Sequence, residues 1–82
     1  MTEQHSHRFV EEYDGLVGFG LDRETDEHTL TYYLQKFSDD ELMALIRHRL
    51  TDEEMEKLFN LITNLMKQHF TETEYHKYFL KD

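Results

Sequence analysis

The chain has 82 residues, of which 38% are hydrophobic, and it carries a formal net charge of −9 at pH 7. This length accommodates one domain, and the hydrophobic fraction supports a modest core. Because cysteine is absent, disulfides, zinc–thiolate sites and cysteine nucleophiles are excluded. The acidic charge argues against binding to nucleic acids or to anionic membranes, since both attract proteins largely through lysine and arginine.

The hydropathy of the chain predicts no membrane association. No apolar run approaches the roughly 20 residues that a membrane-spanning helix needs. The first five residues lack the basic and then apolar pattern of a secretory signal. We therefore expect a cytoplasmic protein, with a flexible N-terminus over residues 1–5 and a single helical domain over residues 6–82.

The residue types favour helices over strands. Proline is absent, leucine, glutamate and lysine recur along the chain, and the β-branched aliphatic residues are few. We predict an all-α fold, a small bundle of four to five short helices with a Gly-rich apolar loop near the N-terminus. The predicted helices span residues 7–14, 26–37, 39–49, 52–69 and 72–80.

Helix starts are indicated by a repeated capping motif. The segments 38–41, 51–54 and 71–74 each fit the pattern S/T-x-x-E ahead of an apolar periodic stretch. In this capping box the hydroxyl accepts a hydrogen bond from a backbone N–H, and the glutamate accepts one from the N–H of the cap residue. Segment 25–28 resembles the motif less well, because His28 replaces the glutamate.

Helical periodicity predicts which side chains each helix buries. In helix 26–37 a leucine and aromatic face is expected to meet the core, with Tyr32 pointing away from it. Helix 52–69 carries an apolar arc wider than the stripe of about 100° that one-sided packing needs. We therefore expect neighbours on two sides of this helix, from the same chain or from a second one. The arc comprises Met55, Leu58, Phe59, Leu61, Ile62, Leu65 and Met66.

The segment 15–21 combines three glycines with apolar residues. Its glycine order does not match the dinucleotide fingerprint, and it lacks the Gly-Lys-Ser/Thr ending of a phosphate-binding loop. We interpret it as a loop that lies across the bundle, with the side chains of Leu16, Val17, Phe19 and Leu21 buried against the helices.

Histidines are the residues with the clearest potential for chemistry. His69 falls inside the apolar arc of helix 52–69, in its last turn, where we expect it to be partly buried; it is the candidate functional histidine. His5 and His7 form a weak potential chelating pair. The Glu-x-x-His repeats of a di-iron bundle are absent, and we predict no bound metal and no cofactor. The alternative function is a metal- or cofactor-binding helical protein that uses His28, His69 or His76.

Catalysis has no support in the sequence. No serine nucleophile motif is present, and the paired carboxylates are explained by helix starts. A chain this small buries little surface and has no disulfide, so self-association is a natural supplement to its stability. We predict a protein-interaction module that binds a protein partner or itself as a homodimer, through Tyr32, Leu61, Leu65, Tyr75 and Tyr78. Mimicry of a nucleic-acid backbone ranks last, because the carboxylates concentrate at helix starts.

Overall fold

The computed structural model describes residues 7–82, so the predicted flexible N-terminus lies outside the described residues. Across this described part of the chain every regular element is a helix, and no strand occurs. The predicted all-α class is therefore confirmed. The α-helices are α1 (Arg8–Glu12), α2 (Arg23–Phe37), α3 (Asp40–Arg49), α4 (Asp52–His69) and α5 (Glu72–Glu74), and α5 leads directly into a π-helix (Tyr75–Leu80).

The chain divides into two compact units. Unit 1 ends at His48, and its described part contains α1, the glycine-rich loop, α2 and nearly all of α3. Unit 2 begins at Arg49 and contains α4, α5 and the π-helix. The single domain over residues 6–82 stays a prediction.

Two of the predicted capping boxes are confirmed, and they begin α4 and α5. The Thr51 hydroxyl accepts from the Glu54 N–H at 3.1 Å, and the Glu54 carboxylate accepts from the Thr51 N–H at 2.9 Å. Thr71 and Glu74 repeat the arrangement at 3.1 and 2.8 Å. These reciprocal bonds satisfy backbone donors that the first helical turn leaves without partners.

The caps of α2 and α3 differ from the prediction. Helix α2 begins at Arg23, three residues before the predicted start, because the Asp22 carboxylate accepts from the Thr25 N–H at 2.8 Å. At α3 the predicted cap Ser38 instead donates to the Gln35 carbonyl at the end of α2. The Asp39 carboxylate takes its place and accepts from the N–H groups of Glu41 and Leu42 in the first turn of α3. Aspartate is as effective a cap as serine.

The glycine-rich loop is anchored to α2 by polar contacts. The Gly18 N–H donates to the Thr29 hydroxyl at 3.0 Å, and the Gly20 N–H donates to the Asp26 carboxylate at 2.8 Å. Gly20 has φ +93°, a conformation that side-chain-bearing residues rarely adopt. The predicted burial of the loop's apolar residues is wrong, since Leu16, Val17, Phe19 and Leu21 are all exposed.

Helix α2 packs through its polar side, which corrects the predicted orientation. Thr29 is only 4% exposed, and Tyr32 is half-buried, whereas the leucine and aromatic face is exposed. The contacts with α1 and the loop are made by hydroxyl, amide and imidazole groups, which hydrogen-bond as well as pack. The exposed face comprises Leu30, Tyr33, Leu34 and Phe37. No hydrophobic residue among positions 7–82 is fully buried.

Candidate interaction surface

The most amphipathic described helix is α4. At about 100° per residue, its apolar side chains cover roughly half of the circumference, while its asparagines and lysines lie on the opposite side. We call this surface the α4 stripe, and it comprises the seven residues Met55, Leu58, Phe59, Leu61, Ile62, Leu65 and Met66. The 18-residue helix extends for about 27 Å, so the stripe is long enough to pair with another helix.

The α4 stripe is largely open to solvent. Leu65 is 45% exposed and Phe59 is 66% exposed, and within the stripe Met66 alone is half-buried. A contiguous row of large apolar side chains in water is characteristic of an interaction site, whereas isolated exposed leucines are ordinary. The predicted contact residues Leu61 and Leu65 therefore lie together on one accessible face.

Charge is distributed unevenly along α4. Its first turn carries Asp52, Glu53 and Glu54, and its last turn carries Lys67 and His69. Acidic groups near a helix N-terminus and basic groups near its C-terminus interact favourably with the helix dipole. The helix therefore has an acidic end and a basic end, with the α4 stripe between them.

His69 lies on the line of the α4 stripe, in the last turn of the helix, but its predicted partial burial is wrong. The residue is exposed. A side chain at the end of a helix is covered only if another element crosses that end. Here the chain continues from His69 through Phe70 into the Thr71 cap, and His69 stays open to solvent.

The C-terminal part of unit 2 adds an aromatic surface. Tyr75 is half-buried and stacks on Phe79 with ring centroids 5.4 Å apart. Tyr75 also lines a mainly apolar groove of about 330 Å³ with Met66 and Phe70. Tyr78 is exposed, and the Lys77 ammonium lies over its ring at 5.1 Å. Both predicted tyrosines thus lie on the π-helix in the same unit as the α4 stripe.

The predicted contact residue Tyr32 belongs to a different environment in unit 1. Its ring lies 6.4 Å from that of Tyr13, which stacks on Phe9 at 4.8 Å. The His28 imidazole lies 5.5 Å from the Phe9 ring and 5.2 Å from the Tyr13 ring. These four rings form an aromatic cluster that holds α1 against α2. The Tyr32 ring therefore packs mainly against residues of its own unit, and its role in an interface stays a prediction.

A second exposed apolar face, which was not predicted, lies on α2. Leu30, Tyr33, Leu34 and Phe37 were expected in the core, but Tyr33 is 56% exposed and the other three are also exposed. The apolar periodicity did identify the right residues as one face. It did not indicate that the polar side of the same helix would pack against α1.

No described group of side chains resembles a metal centre. Among residues 7–82, no three His, Asp or Glu side chains are placed to hold an ion together. The Nδ1 atom of His48 lies 2.7 Å from the Ala44 carbonyl, and His76 lies 3.3 Å from the Asp82 carboxylate. His28 belongs to the aromatic cluster. The pair His5 and His7 includes one residue outside the described range.

The clearest pKa effects accompany the start of α2. Backbone and side-chain hydrogen bonds from Thr25 lower the pKa of the Asp22 carboxyl below its ordinary value. A side-chain hydrogen bond to Glu27, at 2.7 Å, raises the pKa of Arg23. Both effects belong to groups that stabilise the helix, so they have a structural cause and do not indicate acid–base catalysis.

Comparisons with known proteins find no matching family model, no similar curated protein and no similar solved structure. Across residues 7–82, no helix combines the length and the apolar character required to cross a membrane.

Proposed function

We propose that this chain is a protein-interaction module without catalytic activity, and that the occupant of the α4 stripe is a second copy of the chain. The observation that carries the proposal is the exposure of six large apolar side chains along one face of one helix. Each is between 45% and 66% exposed. A cytoplasmic location stays a prediction.

The apolar surface supplies a gain of the same size as the cost of association. Full burial of one such side chain stabilises by about 1.5–3 kcal/mol, so covering the exposed half of six on each of two copies gives a gross gain of about 9–18 kcal/mol. Association costs about 4–15 kcal/mol in lost freedom of motion. A homodimer that forms at micromolar concentration and dissociates on dilution fits these values.

A second copy is favoured over other partners because the stripe is self-complementary. It is a continuous apolar row with polar groups on the opposite side of the helix, including Lys57, Asn60 and Asn64. A two-fold symmetric contact places the same patch on both subunits, and an apolar row meets this condition without a charge mismatch at its centre.

A matched pair of substitutions tests the proposal. Leu65→Glu puts a charge on the α4 stripe, and Asn64→Glu puts the same charge on the opposite side of the same helix. We expect sedimentation equilibrium to show a micromolar dimer for the parent and for Asn64→Glu, and a monomer for Leu65→Glu. Circular dichroism checks that all three chains keep the same helical content.

The other results would contradict the proposal. A parent chain that stays monomeric at a few hundred micromolar rejects the homodimer. If its α4 amides and side chains are nevertheless protected from solvent, the stripe is covered by the same chain. A dimer that Leu65→Glu leaves intact shows that copies associate through another face, such as the exposed face of α2.

A further inference from the structure

We infer that two copies pair with their α4 helices antiparallel, so that His69 of each copy lies beside the acidic first turn of α4 in the other copy and protonation of His69 strengthens the dimer. This inference rests on the proposed function, because it specifies the geometry and the regulation of the same surface.

The position of the stripe sets the register. It runs from Met55 to Met66, so its midpoint is near Leu61. Full overlap of two stripes in an antiparallel pair places the two-fold axis at that midpoint. Residues equally far from the axis then face each other, and the turn at residues 67–69 of one copy meets the turn at residues 52–54 of the other.

Charge selects this orientation over the parallel one. Parallel pairing would bring two acidic first turns together, which places Asp52, Glu53 and Glu54 of both copies at one end. Antiparallel pairing instead sets each acidic turn beside the last turn of α4 in the other copy, which carries basic residues and no acidic ones. The two helix dipoles are also antiparallel in this arrangement, and they therefore attract each other.

The position of His69 around the helix makes it the basic residue that reaches the contact. At about 100° per residue, His69 points along the centre of the α4 stripe, whereas Lys67 points to the opposite side. At the acidic end Glu54 lies along the Leu61 edge of the stripe and Asp52 lies just outside the opposite edge, while Glu53 and Glu56 point away from it. In the antiparallel pair, the His69 ring therefore faces Asp52 and Glu54 of the second copy.

The environment of His69 within its own chain leaves this contact available. Its ring is exposed, and the elements adjoining it are the end of α4 and the start of α5. The charged groups on those elements are Lys67 and the α5 residues Glu72 and Glu74. A protonated imidazole carries a positive charge, so protonation of the His69 ring beside two carboxylates creates an ion pair.

Cysteine cross-linking tests the orientation, since the natural chain has no cysteine to interfere. In an antiparallel pair centred on residue 61, the cysteines of Leu61→Cys in the two chains lie beside each other. The cysteines of Gln68→Cys in the two chains lie about 21 Å apart along the helix axis, at 1.5 Å per residue. A disulfide requires Cα atoms within about 7 Å. We expect Leu61→Cys to cross-link with itself, and Gln68→Cys to cross-link with Glu54→Cys but not with itself.

The role of His69 is tested by the dimer dissociation constant at pH 7.5 and pH 5.5. We expect acidification to tighten the parent dimer more than it tightens His69→Gln, by a factor of about 2 to 30 for two exposed ion pairs. His48→Gln is the matched control, because His48 is an exposed histidine in the last turn of α3. Its variant should respond to pH as the parent does.

The outcomes separate the inference from the proposed function. A parent monomer overturns both. A dimer in which Gln68→Cys cross-links efficiently with itself keeps the homodimer and overturns the antiparallel geometry. An antiparallel dimer whose His69→Gln variant responds to pH as the parent does overturns the role of His69 alone. Since Glu54 also caps α4, the helical content of Glu54→Cys is measured in parallel.

Discussion

The hydroxyl of Thr29 closes a two-way contact with the backbone of Gly18: it accepts from the Gly18 N–H and donates to the Gly18 carbonyl, both at 3.0 Å. Thr29 is 4% exposed, and it is the only residue among positions 7–82 that is buried. One side chain thus satisfies both polar groups of one loop residue, and this pairing positions the glycine-rich loop on α2.

Thr29→Val should release the loop. Valine has the shape of threonine but no hydroxyl, so both Gly18 groups lose their partner, at a cost of about 1–3 kcal/mol in the free energy of unfolding. Urea denaturation measures the loss, and hydrogen exchange at the Gly18 amide locates it. Thr31→Val is the control: its hydroxyl bonds to the Glu27 carbonyl within α2, and we expect a change within about 0.5 kcal/mol. Equal effects of the two substitutions would contradict the anchoring role.

Adjacent tyrosines on α2 provide the second prediction. Tyr32→Ala removes a ring from the aromatic cluster and should destabilise unit 1 by about 1–2 kcal/mol. Tyr33→Ala removes a ring that is 56% exposed, so its cost should be smaller. Chemical denaturation of both variants compares them, and NMR signals of the Phe9 and His28 rings report whether α1 detaches. A larger loss for Tyr33→Ala would favour the orientation expected from apolar periodicity.

The third prediction concerns acid pH. Hydrogen bonds from Thr25 lower the pKa of the Asp22 carboxyl below 3.8, so the folded chain holds its ionised form more strongly than the unfolded chain does. The stabilisation is present above the unfolded pKa, near 3.8, and is lost as the pH falls through the lower folded value. An NMR titration of the Asp22 carboxyl carbon should show a midpoint below 3.8.

Asp22→Asn is the matching variant for that titration. It keeps the size of the cap and an oxygen acceptor but cannot ionise. In the variant, we expect the contribution of this cap to the free energy of unfolding to be independent of pH between pH 5 and pH 2. A carboxyl midpoint at or above the ordinary value in the parent chain would show that the Thr25 hydrogen bonds are absent in solution.

The sequence predicted helix starts well where the capping partners are close along the chain. Thr51 with Glu54 and Thr71 with Glu74 are three residues apart, and both boxes form as expected. It was less accurate where two caps compete. Ser38 was assigned to α3, but it bonds to the end of α2, and the neighbouring Asp39 caps α3 instead. Spacing alone does not distinguish two adjacent acceptors.

The C-terminal segment also differs from the sequence prediction. The sequence predicted one helix over residues 72–80, and the structure has a short α5 followed by a π-helix that ends at Leu80. The turn is closed by the Asp82 N–H, which donates to the His76 carbonyl, and by Lys81 in the left-handed conformation with φ 62°. Apolar periodicity is too coarse to separate the two helix types over six residues.

The sequence by itself determined the all-α class, the start of α4 and the residues of the α4 stripe, because capping and helical periodicity act within a few residues along the chain. Only the tertiary structure decided which side of α2 packs, since that depends on a partner elsewhere in the chain. The hydroxyl of Thr29 and the ring of Tyr32 meet the loop and α1, and hydrogen bonding there outweighs the apolar pattern. The leucines of α2 consequently stay in contact with solvent.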